Sequence, residues 1–394
     1  MAGSQPQRVT MGGVRRPVTF LVHDASGHGG VARTVVNLAN HLAGHRDVRV
    51  LSLFRHGAEP AYPLDPRVRH EVLVDVPAGL GPLDRLLDAR PTRLRPQPAE
   101  KRMTRLTDRA LQTALSRLEP GILVSTRPSL HLAATRWAAD GVRVVGQDHK
   151  NFATRFANAR QAEVLRAAVP LLDAYVVLTR ADADDYRREL PGLGTPVEVI
   201  RNALPWPPAD TPAPLDSQVV VAAGRLAREK GFGRMIEAFA PVAREHPDWR
   251  LDIYGEGSER AALTRRIARL GLDGRVRLPG YTDGFRGVLA GAAAYALTSR
   301  AEGFPMVLIE AMSAGVPLVA MDCPRGPGEI VDDGKNGLLV EDGDVTGFTE
   351  ALRRLVEDDD LRRACGRRAH EDARQYAMDR VLEEWLQLFE CLDG

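Results

Sequence analysis

Ala293-Ala294-Tyr295-Ala296-Leu297-Thr298, Ser299-Arg300-Ala301-Glu302-Gly303-Phe304-Pro305 and Met306-Val307-Leu308-Ile309-Glu310-Ala311 follow one another as a buried strand, a turn and the opening of a helix. The helix is expected over 305–314, with Pro305 in the first turn, where its missing N–H costs nothing. Gly303 lets a ligand come close to the backbone. The helix start adds free N–H groups and a positive dipole end beside the Glu302 carboxylate. Glu310 lies about two turns inside, among Leu308, Ile309, Ala311 and Met312. A carboxylate buried there needs a partner, either a ligand or an internal salt bridge.

The same strand-turn-helix unit recurs on both sides, which predicts parallel sheets covered by helices. Upstream, strands are expected at 17–23, 48–54, 122–125, 142–146, 174–178 and 197–200, with a helix over 31–42. Pro205-Trp206-Pro207-Pro208, with Pro212 and Pro214, suits neither a helix nor an interior strand and reads as a linker. The rhythm restarts with a strand at 218–223, a helix at 233–245, a strand at 250–254, a helix at 258–270 and strands at 276–278, 317–320 and 337–340. Three helical patterns close the chain. The last, 378–392, carries an apolar stripe of Val381, Leu382, Trp385, Leu386, Leu388 and Phe389 that demands a docking surface. The boundaries drawn are a disordered leader 1–14, a first domain 15–204, a linker 205–217, a second domain 218–375 and a crossing helix 376–394.

Two further turns carry chemistry. Gly224-Arg225-Leu226 through Glu229-Lys230-Gly231 lies between a buried strand and a helix, where Arg225 and Lys230 can clamp a diphosphate as a fork and a point charge. The alternative is a surface pair between Arg225 and Glu229. Gly27-His28-Gly29-Gly30-Val31-Ala32 matches a dinucleotide-binding fingerprint, but Phe54-Arg55 stand where an acidic residue is expected. It is read instead as a Gly-rich turn that lets the backbone approach ligand across a cleft. Gly255-Glu256-Gly257 is a similar partial match. His149 follows a strand, in a loop at the carboxyl edge of a sheet, and is either a ligand contact or structural.

Three cysteines, Cys323, Cys365 and Cys391, lack metal-ligand spacing and read as reduced thiols of a cytoplasmic protein. No stretch reaches 18 uninterrupted apolar residues, which excludes a transmembrane helix, and 1–14 lacks the apolar core of a signal peptide. The net charge of +1 hides a split: 29 basic and 20 acidic residues up to Pro205, against 24 and 32 beyond it. The first half therefore suits an anionic partner. Its segment 85–109 holds eight basic residues against Asp88, Glu100 and Asp108, and is expected as a mobile loop leading into a helix at 102–118. Such a segment suits an anionic membrane surface or a phosphorylated acceptor; the alternative is a solvated loop.

Together these residues resemble the retaining glycosyltransferases of family 4, with the GT-B fold. In that fold two Rossmann-like domains face each other across a cleft and a C-terminal helix crosses back to the first. The E-x7-E signature is met by Glu302 and Glu310, and the G-R-L…E-K-G element by Gly224–Leu226 and Glu229–Gly231. Ile200-Arg201-Asn202-Ala203 meets the I-P-N-G element only in part, while Cys323–Ile330 is similar to bacterial members acting on cell-surface polymers or lipid-linked glycans. The resemblance implies that Arg225 and Lys230 hold the diphosphate and that Glu310 takes the ribose hydroxyls. Glu302, with Gly303, Phe304 and Pro305, would orient the donor sugar, and His149 would stand at the reaction centre. Gly29, Gly30, Gly224, Gly257, Tyr281 and Val307 complete the implied donor-binding set. The spacing agrees: Gly303 and Glu310 lie roughly 10 Å apart along the helix, about the reach from sugar to ribose.

The implied donor is a UDP-sugar carrying a hexose or N-acetylhexosamine. The implied acceptor is a hydroxyl of a cell-envelope glycan, a lipid-linked or teichoic-type chain, or a small-molecule natural product. No cofactor, metal or nucleic acid is expected; Asp342 with Asp344 reads as a turn, and Asp182 with Asp184 as a helix surface. The rival readings are a sugar-nucleotide epimerase or phosphorylase, an NAD(P)-dependent oxidoreductase using 27–32, and a non-catalytic transferase-like subunit. The first lacks acid/base carboxylates or a cofactor lysine, the second its acidic residue, and the third has no need of Arg225, Lys230, Glu302 and Glu310 together.

Overall fold

The computed structural model describes residues 15–27, 29–57, 60–100 and 102–394. The expected leader, His28 and Lys101 lie outside the described residues. Among the described residues, thirteen strands divide between two wholly parallel sheets. The first holds β1 (Val18–Asp24), β2 (Val48–Arg55), β3 (Arg69–Asp75), β4 (Ile122–Ser125), β5 (Arg143–Gln147), β6 (Ala174–Val177) and β7 (Val197–Val199), in the order β3-β2-β1-β4-β5-β6-β7. The second holds β8 (Val219–Ala223), β9 (Arg250–Tyr254), β10 (Val276–Gly280), β11 (Ala294–Leu297), β12 (Leu318–Asp322) and β13 (Gly337–Glu341), in the order β10-β9-β8-β11-β12-β13.

Each sheet starts in its middle, builds outward to one side, then crosses to the other. The reversal falls between β1 and β4 in one sheet and between β8 and β11 in the other. Loops leaving the carboxyl ends of two such strands diverge and open a crevice, the usual ligand site of an open α/β sheet. Central strands such as β8, Val-Val-Val-Ala-Ala, are apolar throughout because helices cover both faces. Two apolar layers flank each sheet: Phe239 and Phe348 lie in one layer of the second sheet, Tyr295 and Phe304 in the other.

The last helix, Met378–Asp393, follows the second sheet in sequence but buries Val381, Leu382, Trp385 and Phe389 with Val18, Phe20 and Val35 of the first domain. Asp393 near its end is paired with Arg46 at 2.7 Å. The apolar stripe thus meets the surface it requires, and the architecture is the GT-B arrangement.

Two local expectations are corrected. The described residues of 85–109 are not one open loop, although the helix expected at 102–118 does form, as Arg105–Leu115. The segment opens as a helix, Pro82–Asp88, then is pinned: Leu94 is fully buried, and the Asp108 carboxylate accepts from the Thr92 hydroxyl and from the Arg93 N–H at 2.6 Å. Asp182 is not on a helix surface. It is buried at the start of the helix Arg180–Glu189 and accepts from the Phe152 N–H at 2.8 Å. Burial pushes its carboxyl up to about 6.

Candidate active site

In the second domain, the turn after β8 and the turn after β11 meet at the β8/β11 crevice. The Lys230 ammonium lies 2.7 Å from Glu302 Oε1, and the Ser299 hydroxyl donates to the same oxygen at 2.5 Å. Two donors therefore fix the orientation of Glu302 while Lys230 keeps its positive charge in the crevice. The backbone beneath is tied down, since Arg234 Nε donates to Thr298 O at 2.8 Å and the Arg300 N–H to Glu229 O at 2.8 Å. Gly231 has φ +67°, and a Cβ there would lie 1.9 Å from Thr298 O, so only glycine lets the two turns touch.

Arg225 is exposed and pairs with Glu229 four residues on. The surface pair is formed, and it leaves the guanidinium at the rim of the crevice. Gly224 lies beside the Lys230 stem, whereas Gly257 packs against Leu226 O, 2.3 Å from where a Cβ would be, and so supports the turn. Phe304 is buried edge-on to Tyr376, with centroids 5.9 Å apart. Pro305 is the N-cap and the helix proper runs Met306–Ser313, one residue later than expected. Val307 is half-buried. Tyr281 is 64% exposed and its hydroxyl donates to Asp283 at 2.7 Å.

The first domain closes on this surface. A Cβ on Gly303 would lie 2.4 Å from His149 O, so the close approach that glycine permits here is to the opposite domain. Asn151 Nδ2 reaches across to Glu302 O at 2.5 Å and Pro324 O at 3.1 Å. His149 thereby faces the Glu302 turn. Its Nε2 is buried and has no partner among the described residues. Burial above all, then Arg155 and Arg127, lowers its pKa to about 4 against the pull of Asp148, so the ring is neutral at pH 7. Asp148 is held by Arg155 Nε at 2.9 Å and by the Tyr175 hydroxyl at 3.0 Å.

Glu310 is buried, as its apolar neighbours require. Its partner is neither solvent nor its own helix: Arg33, on the helix Gly30–Leu42 of the first domain, forms an ion pair with it. Burial raises the Glu310 pKa while Arg33 opposes that rise. Around Gly27, Gly29 and Gly30 an added Cβ would meet nothing within 4 Å, so this turn borders open space. Sequence reasoning missed Arg33 and Asn151. Arg33 stands one turn beyond Gly30, and Asn151 caps the helix Phe152–Phe156 by accepting from Thr154 N–H at 2.7 Å. The capping pattern was visible; the contact across the cleft was not.

The Lys230–Glu302–Ser299 cluster of the second domain thus lies beside a turn that packs against His149 and Asn151 of the first. The chain matches the model of glycosyl transferases group 1 over residues 208–372 and that of glycosyltransferase family 4 over residues 28–205. It belongs to glycosyltransferase family 4. This family 4 protein is 34% identical over 385 residues, 94% of its length, to an exopolysaccharide phosphotransferase of Streptomyces coelicolor, of which it spans only 40%. It is 26% identical to the amylovoran biosynthesis glycosyltransferase AmsD of Erwinia amylovora, over 93% of this chain and 97% of that one. Its fold is similar to that of S. aureus TarM, solved as the G117R mutant with Fondaparinux, alpha-GlcNAc-glycerol and UDP. The TM-score is 0.76 at 16% identity, over 95% of this chain and 99% of that one. No helix among the described residues is long and apolar enough to cross a membrane.

Proposed function

We propose that this family 4 protein transfers a hexose or N-acetylhexosamine from a UDP-sugar to a hydroxyl of a cell-envelope glycan, lipid-linked or teichoic-type acceptor, with retention of anomeric configuration. The observation that carries this reading is the Lys230–Glu302–Ser299 cluster at the β8/β11 crevice, with the His149 backbone against the neighbouring Gly303. UDP in the TarM complex and the polymer-biosynthesis names of the relatives favour the same donor and acceptor class.

In this reading residues 218–375 hold the donor and 15–204 the acceptor, joined through 205–217. Lys230 and Arg225 meet the diphosphate, and their charge stabilises it as it leaves. Glu302, held by Lys230 and Ser299, accepts from sugar hydroxyls and fixes the ring. Glu310 turns from Arg33 to the ribose hydroxyls. Gly29 and Gly30 leave room for the diphosphate or acceptor. Glu302 is already engaged by two donors, which argues against a covalent nucleophile and for displacement on one face. There the departing phosphate oxygen takes the acceptor proton as the new C–O bond forms. Neither metal nor cofactor enters this scheme, because the two cations supply the charge. A cytoplasmic location at the inner face of the membrane would suit a lipid-linked acceptor.

The test is a thermal-shift panel with UDP, GDP, ADP, several UDP-sugars and NAD(P). Ligand at about 100 times Kd adds roughly 2.7 kcal/mol, a rise of a few degrees for domains of this size. The expected result is a shift with UDP and with one UDP-sugar. A shift with NAD(P) alone would overturn the reading.

A further inference from the structure

The first domain has a crevice of its own, between the carboxyl ends of β1 and β4, facing the donor crevice. Arg127 stands in the loop leaving β4 and is the N-cap of the ten-residue helix Pro128–Trp137. It is half-buried, and its guanidinium makes no hydrogen bond or ion pair among the described residues. Such an arginine is costly to keep unless something else accepts from it. In the first turn of that helix Ser129 is fully buried, and among the described residues neither its hydroxyl nor the buried His149 Nε2 on the neighbouring loop has a partner. Across the crevice, the turn at Gly27, Gly29 and Gly30 is open.

Several basic groups act on one another here. Arg127 acts on His23, on His149 and on Lys150, which also feels Arg225 at the rim of the donor crevice. Lys150 therefore bridges the two sites electrostatically. Burial above all lowers the Arg127 pKa, and Glu100, then Asp24, act against it. Asp24 is already taken by Ser26 at 2.6 Å and by His56, and Glu100 makes no ion pair among the described residues. Asp148, the remaining nearby carboxylate, is neutralised by Arg155.

We propose that the β1/β4 crevice binds a phosphate group of the acceptor, with Arg127 and Lys150 as its charged ligands. The proposal rests on the transferase reading and deepens it: the acceptor is a sugar or polyol phosphate. Its phosphate lies at the end of the crevice away from Arg225 and Lys230, and its nucleophilic hydroxyl points towards them. The phosphate can come from a soluble or polymeric polyol phosphate or from a lipid headgroup, and the experiment separates these.

With the donor site saturated by UDP, the protein is titrated with sn-glycerol 3-phosphate, with glycerol, and with vesicles of phosphatidylglycerol or phosphatidylcholine. Glycerol phosphate should bind and glycerol should not. Arg127→Gln and, separately, Lys150→Gln should each weaken glycerol phosphate binding about tenfold, the worth of one charge-assisted hydrogen bond, while UDP affinity stays within about threefold. Arg127→Lys should restore part of the loss in a correctly folded protein. Preference for phosphatidylglycerol vesicles that both Gln variants abolish would assign the phosphate to a lipid headgroup; preference for glycerol phosphate assigns it to a polyol chain. UDP binding without any phosphate binding overturns this proposal and leaves the transferase reading intact, whereas absence of UDP binding overturns both. Unchanged phosphate affinity in both Gln variants also overturns it.

Discussion

Glu310 shows how far a single residue can be read. Four apolar neighbours in sequence were enough to say that its carboxylate is buried and needs a partner. They did not say which partner, because Arg33 is 277 residues away and on the other domain. The ion pair makes a test possible. Glu310→Gln removes the charge that accepts from ribose hydroxyls, so UDP affinity should fall about tenfold, the scale of a hydrogen bond to a charged group. Arg33→Met frees the carboxylate and should leave UDP affinity equal or tighter. Tighter binding in the Glu310 variant would remove this residue from the donor site. Lys230→Ala should lower turnover by on the order of 10²–10³-fold, as for other groups that stabilise charge in the transition state. The fold should survive, because the Lys230 side chain is a quarter exposed. Near-normal turnover in that variant would end the diphosphate role. Asn151 escaped notice for the same reason as Arg33: it belongs to a local pattern with an ordinary explanation, and only the facing domain gives it a further use.

At the scale of elements, every strand among the described residues was legible except β3. β3, Arg-His-Glu-Val-Leu-Val-Asp, is half polar because it forms the sheet edge, where one side meets solvent. The helix Pro82–Asp88 was lost inside the basic segment for lack of buried residues; Leu83 is 59% exposed and Leu86 51%. Two leucines facing water beside Arg85, Arg90 and Arg93 are what an interfacial helix shows to an anionic membrane. Arg95 donates to Leu94 O at 2.8 Å and Arg102 contacts His56, so both serve the fold. Arg85→Gln, Arg90→Gln and Arg93→Gln combined should reduce binding to phosphatidylglycerol vesicles by tenfold or more, at about 1 kcal/mol per basic residue near such a surface. Leu83→Ser with Leu86→Ser should weaken the salt-insensitive remainder. Binding by all variants equal to that of the unaltered protein would dismiss membrane contact through this helix.

The whole molecule is two repeats of one topology held by a returning helix, and its final stripe of apolar residues announced that return. Trp385 is 1% exposed and Phe389 fully buried, in a helix that follows the second domain yet completes the core of the first. The first domain therefore depends for its core on the final helix, while the donor crevice is built on the second sheet and only touched by the first domain. That asymmetry predicts the response to damage. Trp385→Ala leaves a large cavity beside β1 and should cost about 3–5 kcal/mol. The loss falls on the first domain. In calorimetry a low transition should separate from a higher one, and only the higher should rise with UDP, because a ligand stabilises the unit that binds it. If both transitions rise together with UDP, Arg33 and Asn151 couple the domains more tightly than the final helix does; if Trp385→Ala leaves the unfolding profile unchanged, the helix does not clamp the first domain at all.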